Sequence, residues 1–230
     1  MRHVKFNKDL SPHVTIACIY ATIIQSAREC SRLLSAPTIT VGGTLRGIIE
    51  SWSDLSAVIK DGGYVNRMLA TFLFEKQRYI KSMLKSPNNP FFVEMIKHID
   101  PSVEKAKVMA ELTALESAGY KPLTNAGRLK AGDITDIHEG FYWQLCLHSH
   151  NNAGALEIRH IVRTGGEFEV MLCNPNSTIE LVNYFDPLIV ILFDSTIKVH
   201  SFFKTGIAPK YEGRRKEFDT FRKAVLTGTA

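Results

Sequence analysis

From Pro12 to about residue 150 the apolar residues of this chain keep a helical period, and near Thr164-Gly165-Gly166 that period stops. A long stretch of 3.6-residue periodicity, interrupted only by Gly and Pro, can bury its apolar faces only by packing helix against helix. The predicted fold is therefore mainly α, an antiparallel helical bundle over residues 12–150. A small β-hairpin follows at about 156–173, then C-terminal helices over 177–226, the whole forming one domain of residues 1–230.

The individual helices are marked by their punctuation. The first runs from Pro12 to Leu34, with Val14, Cys18, Ala21, Ile24 and Cys30 as its apolar stripe. The second covers about Thr40 to Lys60, burying Leu45, Ile48, Ile49, Trp52, Leu55 and Ile59 before Asp61-Gly62-Gly63 ends it. A third spans Tyr64 to Lys85 and stops before Pro87-Asn88-Asn89-Pro90. Phe91 to His98 is a short helix. Asp100 caps a longer one that begins at Pro101 and closes at Gly119. Asn125 to Lys130 reads as a helical turn and Ile134 to Ser149 as a helix. Ser177 and Glu180 form a capping box for a helix running to about Phe203, which Pro187 should kink or split. The aromatics Phe72, Phe74, Tyr79, Phe91 and Phe92 read as core, because no RNA-recognition motif surrounds them.

Composition excludes several classes. With 45% hydrophobic and 22% charged residues the chain is neither disordered nor fibrous. No apolar run approaches the ~20 residues that span a bilayer, and no export leader is visible, so a cytoplasmic, non-membrane protein is expected. The four cysteines are widely spaced without a CxxC and read as reduced core thiols. The positive charge is concentrated at one end. From Thr196 onward eight basic residues face three acidic ones, which matches the +5 of the whole chain. Within that end Arg214, Arg215, Lys216, Arg222 and Lys223 either solvate a terminal helix or hold an acidic partner such as a phosphate backbone.

Two groups of residues carry chemistry. Arg46, Glu50 and Asp54 stand at i, i+4 and i+8 on the second helix, a stripe drifting ~40° per step beside a buried face. Its plain alternative is an exposed ion-pair ladder. His148 and His150 end the helix from Ile134. In a helix, residues two apart diverge by ~200°, which weakens a zinc site, and no third ligand stands at ligand spacing. Neither a P-loop nor a GxGxxG nor a GxSxG occurs, so no cofactor and no metal are expected.

Leu45-Arg46-Gly47-Ile48-Ile49-Glu50 and Tyr142-x-x-x-Cys146-x-x-x-His150 together resemble a bacterial family of helical proteins of unknown function. That family carries Arg-x-x-x-Glu on an early helix and Tyr-x-x-x-Ser-x-x-x-His at the end of a later one; Cys146 stands here for the usual Ser. The family looks akin to the HEPN superfamily of helical, often dimeric ribonucleases of toxin–antitoxin and anti-phage systems. HEPN nucleases carry Arg and His on one helix, a spacing absent from this chain.

The resemblance implies a defence or toxin effector, a metal-independent endoribonuclease with Arg46, Glu50 and His150 as catalytic residues. Asp54, Tyr142 and Asn151 would support them, and RNA, an antitoxin or defence partner, or a second copy would be the partners. Histidine would move the proton, and the guanidinium would stabilise phosphorane charge. The competing expectation is a non-enzymatic interaction module in which the same residues form a structural polar network. A carboxylate–histidine metal hydrolase built from Glu50, Asp54 and His150 is the third.

Overall fold

The structure is a computed structural model, and it describes residues 7–34, 41–135, 138–142, 145–146, 156–157, 160–171 and 178–227. The helices are α1 (Ser11–Leu34), α2 (Val41–Lys60), α3 (Tyr64–Lys85), α4 (Pro90–Ile96), α5 (Pro101–Ser117) and α6 (Asn125–Ala131). A π-helical turn, His138–Tyr142, and the hairpin β1 (Ile161–Thr164) and β2 (Glu167–Val170) follow. Two long helices, α7 (Thr178–Phe202) and α8 (Ala208–Thr227), come last. The fold is the expected mainly helical bundle with a small antiparallel hairpin and C-terminal helices. Two compact units are distinguished, one of Met1–Lys60 with Arg128–Ala230 and one of Asp61–Gly127.

In the larger unit α1 packs on α2, α7 packs on both, and α8 packs on α7. Ile16, Ile23, Leu45, Ile48, Leu55 and Ile191 are sealed at the centre. The α2 stripe is buried as expected from Leu45 to Leu55, with Ile59 half-buried at the end. On α1 the buried face is Ile16, Tyr20, Ile23, Ala27 and Cys30; of the expected stripe Cys30 is buried and Val14 half-buried, whereas Cys18, Ala21 and Ile24 face outward. Cys18 was expected in the core but lies two residues from Ile16, ~200° around the helix. Pro187 does not split its helix. α7 runs unbroken through it, with Leu188, Ile191, Ser195 and Val199 buried beyond the proline. Packing of that face offsets the missing hydrogen bond.

The smaller unit rests on Ala70, Leu73 and Ile80 of α3 against Val108 and Leu112 of α5. Its caps follow the sequence. Asp100 accepts hydrogen bonds from the Ser102 and Val103 amides at 2.8 and 3.3 Å with Pro101 at the first position, and Gly119 takes φ 89° beyond the helix end. The aromatic expectation fails for four of its five residues. Phe72, Phe74 and Tyr79 are exposed because the α3–α5 contact covers only one face of α3, and Phe91 on α4 is 85% exposed, while Phe92 is half-buried against the Tyr79 ring.

The hairpin pairs Ile161 with Val170 and Thr164 with Glu167, and its turn places Gly165 and Gly166 at φ 62° and 90°. Positive φ at both turn positions is the two-residue geometry that matches strand twist, which is why the Gly-Gly pair stands there.

Candidate functional site

The charged stripe of α2 does not form a solvent ladder. Its 40° drift per step carries it from partly exposed to buried. The Arg46 and Glu50 side chains are 22% and 19% exposed, and that of Asp54 is 6%. Arg46 donates from Nε to Glu50 Oε1 at 3.0 Å and to the Tyr142 hydroxyl oxygen at 3.0 Å. Tyr142 donates its own proton to Glu50 Oε1 at 2.6 Å, and the Arg46 guanidinium lies 5.4 Å from the centre of its ring. Residues ninety-two positions apart in sequence thus meet at one carboxylate oxygen.

A second arginine completes the group. Arg128 on α6 donates from Nη1 to Glu50 Oε2 at 3.3 Å and from Nε to Asp54 Oδ1 at 3.2 Å, and its Nη2 makes a short contact with Asp54 Oδ2. Backbone contact fixes its place. The Ser53 hydroxyl donates to the Arg128 carbonyl at 2.7 Å. A Cβ on Gly132 would overlap the Ser53 hydroxyl and come within 2.7 Å of the Ser53 carbonyl oxygen, so only glycine lets this segment lie so close to α2.

Charges alternate along this group: Arg46, Glu50, Arg128, Asp54. Every carboxylate oxygen of Glu50 and Asp54 receives at least one donor. Tyr142, 4% exposed, has its pKa pushed up to about 12, by burial first and then by its bond to Glu50. It therefore keeps its proton at neutral pH and acts as a donor. Burial works against the Arg46 charge, but the bonds to Tyr142 and Glu50 outweigh it and raise the arginine pKa.

No protein-family model, no curated protein and no solved structure matches this chain. The chemistry of the site therefore rests on its own geometry.

The structure brings together four residues singled out in the sequence, Arg46, Glu50, Asp54 and Tyr142. His150 and Asn151 lie outside the described residues, as does His148. Arg128 was missed. Its partners are 74 and 78 positions away, and nothing local in Asn125–Ala131 distinguishes it from Lys130. Of the helix expected over Ile134–Ser149, the described residues include a π-helical turn at His138–Tyr142, a widened turn that ends at the tyrosine of the network, and helical residues at Thr135, Leu145 and Cys146; the rest lie outside the described residues. Among the described residues, no group of three or more His, Cys, Asp or Glu could hold a metal ion. No helix is long and apolar enough to cross a membrane.

A neighbouring cluster was also missed. Asp194 accepts from Trp52 Nε1 at 2.5 Å and pairs with Lys198 at 2.7 Å; Lys198 in turn donates to the Ser56 hydroxyl at 2.8 Å. Arg215 approaches Asp194 at 3.7 Å and Asp219 at 3.9 Å. Arg214 pairs with Glu217 at 2.9 Å and Arg222 with Asp186 at 2.6 Å. Three of the five cations expected to meet nucleic acid are thus engaged by acids of their own chain. Lys216 and Lys223 join no ion pair among the described residues.

Proposed function

We propose that this protein is a helical interaction module and that Arg46, Glu50, Asp54, Arg128 and Tyr142 form the polar clamp that fixes its helices. The observation that carries this reading is the balance of the network. Two arginines face two carboxylates, each carboxylate oxygen is occupied, and the tyrosine holds its proton. These five bind one another, and the proton of an acid–base cleavage would be moved by His150, which is not among them. A satisfied buried network needs no substrate and orders the helices it joins.

A second reading is the effector ribonuclease, with Arg46, Glu50 and His150 cleaving RNA. The 22% exposure of the Arg46 side chain favours it, because a phosphate could reach the guanidinium from that end.

One experiment separates the two. Arg46→Ala and His150→Ala are melted beside the wild type, and total RNA is followed after induced expression of each. For the clamp, Arg46→Ala lowers the melting temperature by several degrees and the wild type leaves RNA intact. RNA fragmented by the wild type but by neither variant, with both variants melting normally, would establish the nuclease instead.

A further inference from the structure

We infer that Asp61–Gly127 is an insert that opens and recloses as one body while the rest of the chain stays folded, with the clamp holding its neck shut. The neck rests on the clamp reading above; the insert does not. The chain leaves the larger unit after Lys60 and returns to it at Arg128. Within the larger unit those two points are tied together. Arg128 binds Asp54 and Glu50 of α2, the Ser53 hydroxyl donates to the Arg128 carbonyl at 2.7 Å, and Lys60 pairs with Asp133 at 2.7 Å.

Inside the insert the two ends are tied to each other as well. Tyr64 is buried at the start of α3, a Cβ on Gly63 would stand 3.6 Å from the Tyr120 ring, and the Leu123 amide donates to the Thr71 hydroxyl oxygen at 2.9 Å. Entry and exit therefore lie together within each unit. Opening the insert leaves a closed loop on the larger unit and unwinds none of its helices. Such a loop is tolerated, because the entropy of closing it grows only with the logarithm of its length.

Core size decides which unit opens first. Of the twelve largest fully buried side chains, only Ile80 and Met83 belong to the insert. Its cluster is Ala70, Leu73, Ile80, Val108 and Leu112, and α4 buries no residue at all. A segment this short with so small a core is marginal by itself. Regions of low local stability are the ones whose shape a binding partner shifts. The insert is thus the part of an interaction module that can change while its frame stays closed.

The test is hydrogen exchange of the full chain, resolved by peptic fragments, in water and in urea below the unfolding transition. In the wild type α3 and α5 should accelerate together with one common dependence on urea, while α1, α2, α7 and residues 128–134 stay protected. Leu73→Ala should speed exchange across α3 and α5 by about 30-fold or more and leave α1, α2 and α7 unchanged; Ile191→Ala should do the reverse. Asp54→Ala should release residues 128–134 alongside the insert, because the neck is then untied. Acceleration by Leu73→Ala that spreads equally to α1, α2 and α7, or that stays in α3 without reaching α5, overturns the insert. Opening of residues 128–134 together with α3 and α5 in the wild type overturns the neck. The urea series on the wild type needs no variant to fold. The melting and RNA comparison that tests the clamp is read separately, so the insert and the clamp fail independently.

Discussion

Replacing Asp54 by Ala removes the more buried carboxylate of the network and leaves Arg128 with Glu50 as its remaining acidic partner among those described. Breaking a buried ion pair from one side costs about 3–5 kcal/mol, because the surviving charge stays desolvated. Arg128 is 26% exposed, so water recovers part of that loss, and about 2–3 kcal/mol is expected. For a chain of this size that lowers the melting temperature by roughly 4–12 °C. Arg128→Met should cost a similar amount, since it takes two donors from the buried Asp54 carboxylate. The double variant removes both sides of the pair at once, so a double-mutant cycle in urea should give a coupling energy of about 2 kcal/mol. Additivity of the single losses to within about 0.5 kcal/mol would refute the clamp as a coupled unit.

Three further outcomes follow from the same geometry. Gly132→Ala forces a Cβ into the Ser53 backbone and should cost about 2–3 kcal/mol, whereas Gly43→Ala on α2, which meets nothing within 4 Å, should be neutral or slightly stabilising. Equal melting of the two variants would remove the close approach from the argument. Tyr142 has a folded-state pKa above its unfolded one, so its contribution is complete below about pH 10 and disappears as pH rises to about 12. Stability should therefore fall more steeply over that window in the wild type than in Tyr142→Phe, as urea melts at stepped pH would reveal; parallel curves would contradict it. Cys18 should be alkylated within minutes by a small maleimide while Cys30 waits for unfolding. Cys18 is exposed, whereas Cys30 is fully buried and burial lifts its thiol to about 11. Comparable rates by mass spectrometry would place the α1 face wrongly.

The sequence by itself determined the helical class, most helix ends and the face that α2 buries. Each of these follows from local terms: the 3.6-residue period, the Asp100 and Pro101 cap, the paired glycines of the hairpin turn. It also carried Arg46, Glu50 and Asp54, because fixed spacing on one helix is a property of the chain alone. What it could not carry was which part of that stripe goes inward. Asp54 is sealed and Arg46 is not because α6 arrives over one end of the stripe. That arrival depends on a glycine and an arginine that look ordinary where they stand.

Tertiary structure likewise decided the phase of α1, the exposure of the aromatics on α3 and α4, and the commitment of Arg215 and Arg222 to Asp194 and Asp186. Hydrophobicity says that a side chain gains by leaving water, but only the neighbour's position says which side chains do. The ion pairs that tie α8 to α7 join residues 21 and 36 positions apart in sequence, beyond the reach of any helical spacing. Periodicity is written locally, whereas the joining of two arginines to two carboxylates is created by packing.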